Sequence, residues 1–484
     1  MSISLTPNNA ITTSVVGSIA LAGAEISAFD PTTDRFFVTS SSGVIIVDAR
    51  DPANLAEVAT IDFSQAPFSF TNDVNSVAAK NGLIAVAVAN SPKTSNGKVF
   101  LLDASGSLLK TVDVGALPDM LTFTPDGKKI LVANEGERSL TDDAPGSVSI
   151  IDLANGPANA TVANVGFTAF DGQEAKLLKQ GVRIFEGKSV SMDVEPEYIA
   201  VAPDGKTAMV TLQEANAVAI LDIEKAKITK IVPLGLKKQA QLLFDYSDRD
   251  GGYNPIKAPV FGMYMPDAIA SYQVGKKAFY VIANEGDDRD DFITGDEKAR
   301  LKDLTLDPRK FPDAAALQAD AVLGRLNTPN PDQVGARISG DTDGDGDIDQ
   351  IIAYGARSFS ILNSKGKVVF DSGDHIERFI ATNRPDLFND ARSDDKGPEP
   401  EGVTVASIDG SIFAFVGLER SNSVMIYDIT KAKKVEFVGL MSNAGDVSPE
   451  GLTFVSAADS PTGVALVGVS NEVSNTLTLF GLEV

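Results

Sequence analysis

The sequence predicts an all-β protein, a seven-bladed β-propeller with a partly helical lid insertion. Two observations support this fold class. Short strands of alternating character recur along the chain as one repeated unit, and turns rich in Pro, Asp and Gly separate them. Such repeats are typical of propeller blades. A stacked solenoid needs tighter and more uniform spacing and is the less favoured alternative. We therefore expect residues 1–484 to form a single propeller domain.

Each clear copy of the unit has the same internal order. An acid opens a short first strand, a turn follows, a second β-rich strand ends in another acid, and a third strand comes next. The last five copies begin with Pro followed by the acid, whereas the first two are weaker matches. The copies begin, in chain order, at Glu25, Asp73, Pro118, Pro196, Pro266, Pro400 and Pro449.

Long insertions interrupt the repeat. The longest, 289–398, contains helical patterns at 295–304 and 313–326 and returns to β structure at 349–370. Insertions in propellers project from one rim, so we expect this one to form a lid over the channel mouth. The segments too long for hairpin loops are 167–194, 235–265 and 289–398.

Composition excludes several classes of function. With 42 basic and 66 acidic residues the net charge is −24, which repels nucleic acid and anionic membranes. There is no cysteine, and His375 is the sole histidine. Thiolate chemistry and His-rich zinc sites are therefore excluded, and a Ser-His-Asp triad is disfavoured. A bound metal must be held by oxygen, which favours calcium, magnesium, manganese or ferric iron.

The cellular compartment is predicted from features that are less specific than the repeat. The stretch 11–24 is mildly apolar, but no basic segment precedes it, so it is a poor signal peptide. No run of about 18 apolar residues is present, so we expect no membrane insertion. An acidic chain without cysteine fits an exported bacterial protein. We expect an extracellular or periplasmic monomer.

The acids of the repeat predict a metal-binding ring. Because the first strand of each propeller blade lines the channel, acids at the strand ends should meet at one opening. Clustered carboxylates repel one another unless they are protonated or bound to metal. The alternative, turn-forming acids on a solvated rim, is less favoured because Glu is a poor turn former. The ring comprises Asp73, Asp119, Glu135, Glu197, Glu214, Asp267, Glu285, Glu401, Glu419, Glu450 and Glu472. Of these, the expected metal ligands are Glu135, Glu197, Glu214, Asp267, Glu285, Glu401, Glu450 and Glu472.

The segment 341–349, called here the acidic loop, is a second metal signal. Its acids at positions one, three, five and nine, with Gly at six, follow the spacing of EF-hand loops. The twelfth position is Ile352, so the bidentate glutamate of that motif is missing. We expect a structural calcium held by Asp341, Asp343 and Asp345. A solvated acidic turn is the alternative.

Several motifs resemble those of the bacterial choice-of-anchor I propeller family, and the resemblance covers nearly the whole chain. They lie at 284–289, 299–304, 341–349, 355–360, 397–403 and 449–452. The family in turn resembles the atypical alkaline phosphatases of cyanobacteria. More distantly it is similar to PhoX-type phosphatases, propellers that use calcium and iron in the channel mouth.

The resemblance implies a metal-dependent phosphatase, alkaline phosphatase-like, that hydrolyses small phosphomonoesters. PhoX-type enzymes use a cysteine on iron, and this sequence has none, so calcium is the expected cofactor and iron would need an all-oxygen site. The implied ligands are Glu197, Glu285, Glu401, Glu450 and Glu472. The arginines implied to hold phosphate are Arg289, Arg357 and Arg420.

Two other functions compete with the phosphatase. One is a non-catalytic, calcium-binding extracellular propeller with a binding or surface-layer role. Propeller enzymes of the sugar-lactone or quinone type need other channel residues, often His, and are the least favoured. The arginines have an alternative role too, as surface ion pairs with the neighbouring acids. A catalytic site would present an open metal position to the arginines.

Overall fold

Four-stranded antiparallel sheets dominate the protein. The computed structural model describes residues 3–41, 43–70, 73–289 and 295–483. Within these ranges seven sheets have four strands each. The chain begins with strand β1 (Thr12–Ala20), whose partner comes from the far end of the sequence. The predicted all-β class is confirmed.

Four sheets follow, each built from consecutive strands. The first contains β2 (Ser27–Asp30), β3 (Arg35–Ser40), β4 (Gly43–Asp48) and β5 (Ala56–Asp62). The second contains β6 (Val74–Lys80), β7 (Leu83–Val88), β8 (Asn96–Asp103) and β9 (Leu108–Ala116). The third contains β10 (Pro118–Phe123), β11 (Lys129–Asn134), β12 (Ser147–Asp152) and β13 (Thr161–Gly166). The fourth contains β14 (Pro196–Val201), β15 (Thr207–Leu212), β16 (Ala217–Asp222) and β17 (Lys227–Pro233).

The fifth sheet is interrupted by inserted chain. Its strands are β20 (Ile269–Val274), β21 (Lys277–Asn284), β25 (Ser358–Asn363) and β26 (Val368–Asp371). The sheet is therefore interrupted between Asn284 and Ser358. Two strands within the predicted insertion 289–398, β25 and β26, belong to the fifth sheet, and chain outside the sheets lies both before and after them. The strands of this region are β18 (Leu236–Lys238), β19 (Val260–Met263), β20 (Ile269–Val274), β21 (Lys277–Asn284), β22 (Lys298–Arg300), β23 (Asn327–Pro329), β24 (Ile351–Ala353), β25 (Ser358–Asn363) and β26 (Val368–Asp371).

The sixth and seventh sheets come last along the chain. The sixth contains β27 (Pro400–Ile408), β28 (Ser411–Leu418), β29 (Ser423–Asp428) and β30 (Glu436–Met441). The seventh contains β31 (Pro449–Val455), β32 (Ala465–Asn471) and β33 (Thr476–Glu483). Strand β1 pairs antiparallel with β33 and supplies its fourth strand.

The first strands of successive sheets touch in a closed cycle. The contacts run from β2 through β6, β10, β14, β20, β27 and β31 and return to β2. A closed ring of radially arranged antiparallel sheets is the architecture of a β-propeller. A cavity of about 430 Å³ runs along these inner strands and is lined by residues such as Ser76, Met120, Tyr198 and Thr404.

The hydrophobic core lies between neighbouring sheets. Leu131 and Val148 of the third sheet, for example, belong to one buried cluster with Val210 and Leu221 of the fourth. A strand covered on both faces carries a continuous apolar run instead of an alternating one. This explains runs such as 44–47, in which every side chain is buried.

Helices are short and lie outside the sheets. The pattern at 295–304 forms β22 and a 3-10 turn instead of the predicted helix, because Ala299 pairs with Thr328 of β23. Among the helices of the described residues, none is both long and apolar enough to cross a bilayer. The α-helices are α1 (Glu174–Gln180), α2 (Val190–Asp193), α3 (Ala314–Leu317), α4 (Pro331–Val334), α5 (Ala336–Ser339) and α6 (His375–Asn383). The 3-10 turns are Pro157–Asn159, Thr168–Phe170, Leu301–Asp303, Pro385–Leu387, Asp390–Arg392 and Glu419–Ser421, and Asp320–Gly324 forms a π-helical turn.

The inserted segments form a small core of their own. Strand β19, from the insertion at 235–265, pairs in parallel with β24 of the long insertion. Phe244 and Val260 are buried in one cluster with Leu301, Leu323 and Ile351. The two insertions therefore pack as one unit beside the fifth sheet.

Candidate metal site at the channel mouth

The strand register brings the two acids of a sheet to the same end. Pro118, which precedes Asp119, pairs with Asn134, and Glu135 follows that residue directly. The pairings that begin β27 and β31 repeat this arrangement, and in the sheet of β14 one residue, Gln213, lies between the partner of Pro196 and the second acid, Glu214. In all four sheets the register shifts at the first acid, and such bulges redirect a side chain. The acids predicted to form a ring therefore do lie at corresponding strand ends, which we call the channel mouth.

A strained residue precedes the first acid in four sheets. Each has a positive φ although it carries a side chain and precedes proline, a combination found mainly where the fold requires it. In the sixth sheet, the carbonyl oxygen of this residue accepts the amide N–H of Glu419 at 3.0 Å. Equivalent bonds of 2.9 Å hold Glu135 and Glu472. The backbone thus fixes the second acid against the first. The strained residues are Leu117 (46°), Met265 (42°), Glu399 (51°) and Ser448 (59°).

Three ring carboxylates from the fifth and sixth sheets meet closely. Glu285, Glu401 and Glu419, called here the mouth triad, each place an oxygen within 4.8 Å of the other two. Glu285 and Glu419 are 8% and 7% exposed. Oε2 of Glu401 is buried and has no hydrogen-bond partner among the described residues. Three converging carboxylates suit a hard divalent cation such as calcium.

Two cationic side chains border the mouth triad. Nζ of Lys396 lies 2.9 Å from Oε1 of Glu285, whose Oε2 accepts a 2.8 Å hydrogen bond from Gln213. Nη1 of Arg420 lies 2.8 Å from Oε1 of Glu419, and the Arg420 side chain is 39% exposed. The triad is therefore only partly neutralised, and one side chain beside it is open to solvent.

Burial and mutual repulsion disfavour the charged carboxylates. Burial raises the pKa of Glu401 well above its usual value, and the charges of Glu285 and Glu450 add to the effect. Burial likewise raises the pKa of Glu419 to about 7 even though Arg420 opposes the shift. Such groups take up protons or a cation at neutral pH. The mouth carboxylates therefore hold protons more readily than exposed carboxylates do, and they would release those protons on binding a cation.

The remaining ring acids differ in burial. Glu197 and Glu214 are 8% and 7% exposed, and Oε2 of Glu214 is buried without a hydrogen-bond partner among the described residues. Burial also raises the pKa of Glu135, Asp267 and Glu450 well above their usual values. It raises that of Asp119 to about 7. Asp73, which precedes the second sheet, and Glu472, in the last sheet, are exposed, so the mouth is more open to solvent at these two positions.

Glu25 joins this ring although the sequence pattern did not include it. It lies two residues before β2, and no proline precedes it. Burial, followed by the charges of Asp119, Glu472 and Asp73, raises its pKa to about 7. The feature of the sequence that could have identified Glu25 is its position before the first strand of a weakly matching repeat copy.

The three predicted phosphate-binding arginines separate into two groups. Arg289 and Arg357 are each 1% exposed. Nε of Arg289 donates to Glu195 at 2.7 Å, and Nη1 of Arg357 donates to Glu377 at 3.0 Å. Only Arg420 is both beside the mouth triad and open to solvent. The two buried guanidinium groups cross-link the fold, because a charge enclosed this completely must be paired.

The acidic loop forms two overlapping groups. Oxygens of Asp341, Asp343 and Asp349 lie within 4.8 Å of one another. The third predicted ligand, Asp345, lies instead 3.4 Å from Nη2 of Arg309. Asp349 belongs also to a second group, with Asp307 and Asp347. The structure thus brings two of the three predicted loop ligands together.

Comparisons with solved structures find distant likenesses. Hydrazine synthase of Kuenenia stuttgartiensis is 14% identical with a TM-score of 0.49, over 95% of this chain and 96% of that one. The β-propeller domain of Cps50 (Swd1) from Myceliophteria thermophila is 9% identical with a TM-score of 0.48. That likeness covers 98% of this chain and 100% of the other.

Sequence comparisons find closer relatives. Gigasin-3a of Magallana gigas is 30% identical over 205 residues, which are 36% of this chain and 68% of that protein. The mesenchyme-specific cell surface glycoprotein of Strongylocentrotus purpuratus is 25% identical over 288 residues, 49% of this chain and 35% of that protein. A family model, the choice-of-anchor I domain, matches residues 25–432. Because that match extends from the approach to β2 past the end of β29, the chain belongs to the choice-of-anchor I domain family.

Proposed function

We propose that the protein is an extracellular or periplasmic, seven-bladed β-propeller that binds calcium at its channel mouth and serves a non-catalytic binding or surface role. The observation that carries this proposal is the mouth triad, three carboxylates within 4.8 Å of one another at the end of the channel. The closed cycle of contacts among seven inner strands supports the blade number.

Calcium is the cation that these residues fit best. It takes six to eight oxygen ligands in flexible geometry, and carboxylates are its preferred anionic ligands. The chain has no cysteine, and its one histidine is buried against Tyr427 and Ser4, 3.0 and 2.9 Å from their oxygens. Iron would therefore have to use the same carboxylates. We propose calcium as the resident ion and iron as its competitor.

The surface role rests on the family and on one relative. The curated relative from Strongylocentrotus purpuratus is described as a cell surface glycoprotein, and the aligned part is 35% of its length. A net charge of −24 keeps such a domain away from anionic lipid and nucleic acid. We propose that the propeller acts as a monomeric module whose acidic mouth recognises its partner through bound calcium.

Calorimetric titration of chelator-treated protein with Ca²⁺ tests the proposal. Glu401→Gln removes one triad charge and should abolish one class of site or weaken it by at least about tenfold, because ligand charge sets calcium affinity. Glu224→Gln, in an exposed turn after β16, is the matched control and should bind as the wild type does. Equal binding by both variants would contradict the mouth site. Circular dichroism verifies that both are folded.

Arg420 supports a second candidate function. Its side chain is 39% exposed beside the triad, and a guanidinium fork is a good ligand for phosphate. We propose a metal-dependent phosphatase acting on small phosphomonoesters as the alternative, in which the ion polarises the phosphoryl oxygens. Glu285, Glu401 and Glu419 would hold the ion, and Arg420 would orient the phosphate.

Hydrolysis of p-nitrophenyl phosphate at alkaline pH, with metals analysed in the same sample, separates the two functions. A phosphatase should lose turnover on chelation and in Glu285→Gln and Glu401→Gln, while Arg420→Gln should raise KM. Arg309→Gln, at the acidic loop, is the control for Arg420→Gln and should leave KM unchanged. Bound calcium without turnover would leave the binding propeller as the function.

A further inference from the structure

A buried carboxylate outside the acidic loop points into it. Asp307 follows the 3-10 turn Leu301–Asp303 in the chain and is 0% exposed. One of its oxygens lies within 4.8 Å of ligand oxygens of Asp347 and Asp349. The spacing of the loop acids gave no indication of Asp307, because that residue comes from a different part of the long insertion.

The two carboxylate oxygens of Asp307 differ in their hydrogen bonding. Oδ1 accepts from the backbone N–H of Arg309 at 2.7 Å and from Nε of the same residue at 2.9 Å. Oδ2 is buried and has no hydrogen-bond partner among the described residues, and the same holds for Oδ1 of Asp347. A buried carboxylate oxygen without a donor is unfavourable. Two such oxygens within one group of acids form an arrangement that a bound cation would satisfy.

Backbone pairing holds the two contributing segments together. The amide N–H of Asp307 donates to the carbonyl of Ile348 at 3.1 Å, and that of Ile348 donates to Thr305 at 2.8 Å. Leu306 and Ile348 form the central parallel bridge. The position of Asp307 relative to the loop is therefore fixed by the backbone.

The loop itself leaves a ligand position unfilled. Ile352, at the twelfth position, lies in β24, pairs with Phe261 and is 5% exposed. The residue that would be a bidentate ligand in an EF-hand is therefore part of the hydrophobic core. Asp307 approaches the loop from its other side and offers a free carboxylate oxygen.

Arg309 does not neutralise the group. Its side chain is 66% exposed, and it lies 3.4 Å from Asp345 and 3.7 Å from Asp343 as well as beside Asp307. One guanidinium shared among three carboxylates leaves an excess of negative charge. A divalent cation would remove that excess and satisfy the two unpartnered oxygens at once.

We propose that Asp307, Asp347 and Asp349 bind one Ca²⁺, with Asp307 replacing the glutamate that the loop lacks. The ion ties the segment 305–307 to the acidic loop and so makes the long insertion rigid beside the channel mouth. This site is separate from the mouth triad and does not depend on it.

Hydrogen exchange measured by mass spectrometry detects calcium binding at this site separately from binding elsewhere in the protein. The full-length protein, freed of metal with a chelator, is titrated with Ca²⁺ while exchange is followed in peptides covering 305–311 and 341–352. In the wild type Ca²⁺ should slow exchange in both peptides. Asp307→Asn should shift the midpoint of this protection to at least about tenfold higher Ca²⁺, because a charged ligand is lost. Asp345→Asn, a loop acid outside the proposed set, is the matched control and should keep the wild-type midpoint.

Several results would overturn the proposal. These are the absence of Ca²⁺-dependent protection in the wild type, an unshifted midpoint in Asp307→Asn, and a shift in Asp345→Asn as large as that in Asp307→Asn. Should Asp307→Asn fail to fold, Asp347→Asn provides the same comparison from the partly exposed side of the site. Peptides covering 401–419 report the mouth triad in the same experiment, so failure of one site is distinguished from failure of the other.

Discussion

Replacing Arg357 by methionine should destabilise the protein strongly while leaving the mouth triad in place. The guanidinium is 1% exposed and donates from Nη1 to Glu377 at 3.0 Å and to the carbonyl of Asp245 at 2.5 Å. Nη2 donates to the carbonyls of Ser393 and Asp395 at 2.6 and 2.9 Å. Arg357 thus joins three separate segments of chain, and methionine would leave their acceptors unpaired.

The expected loss is about 3–5 kcal/mol in the free energy of unfolding, the usual effect of removing one partner of a buried pair. Arg378→Met is the control, since Arg378 pairs with Asp374 at 3.2 Å while 31% exposed, and should lose roughly 0.5 kcal/mol or less. The double variant Arg357→Met/Glu377→Met should lose less than Arg357→Met alone, because no buried charge then remains without a partner.

The loss should also depend on pH. Burial raises the pKa of Glu377 to about 7, and Arg357 opposes that shift. Without Arg357 the folded-state pKa rises further above the unfolded value. The folded variant then holds a proton that the unfolded chain releases, so its stability falls as pH rises from about 5 to 8.

Denaturant unfolding followed by circular dichroism at pH 5 and pH 8 measures these differences. If Arg357 is a structural cross-link, Arg357→Met should unfold at a lower denaturant concentration than Arg378→Met. The difference between their unfolding midpoints should be larger at pH 8 than at pH 5. Equal stability of the two variants, together with lost phosphate binding in Arg357→Met, would refute the structural role and restore the ligand-binding role predicted from the sequence.

Two further predictions concern titration. Burial raises the pKa of Glu25 and Glu419 to about 7, so their folded forms bind protons that the unfolded chain releases. The melting temperature of chelator-treated protein should therefore fall between pH 5 and 8, and added Ca²⁺ should reverse the fall; a flat profile in chelator would contradict the buried ring. Burial lowers the pKa of His375 to about 4, so stability should decline as pH falls from about 6.5 to 4. The single histidine resonance in an NMR titration measures this pKa, and a midpoint near 6.5 would contradict the buried position.

The parts of the fold that local sequence determines could be predicted. Pro118, Pro196 and Pro400 each mark the start of an inner strand, as the repeat indicated. The closure of the last sheet by β1 was not predicted, because Thr12 pairs with Glu483 from the opposite end of the chain. The tertiary pairing of β22 with β23 likewise overrode a helical pattern.

The sequence predicted which acids lie at the candidate site, but not which of the arginines are buried and paired. Strand ends placed the ring acids, whereas burial separated Arg420 from Arg289 and Arg357. The partners of those buried arginines include Glu195 and Asp245, which are 94 and 112 residues away in sequence. No local pattern encodes such contacts. The positive φ of Leu117 was equally hidden, since nothing but the fold forces a leucine into that conformation.

The pairing of β1 with β33 also determines on which face of the propeller the outer ends of these two strands lie. Thr476 pairs with Asn471 at the mouth end of the seventh sheet, whereas Thr12 pairs with Glu483 at the other end. The outer ends of both strands therefore point away from the acidic mouth. A tether fused beyond the outer end of either strand would therefore attach on the face opposite the mouth and leave the carboxylate-lined face directed to solution.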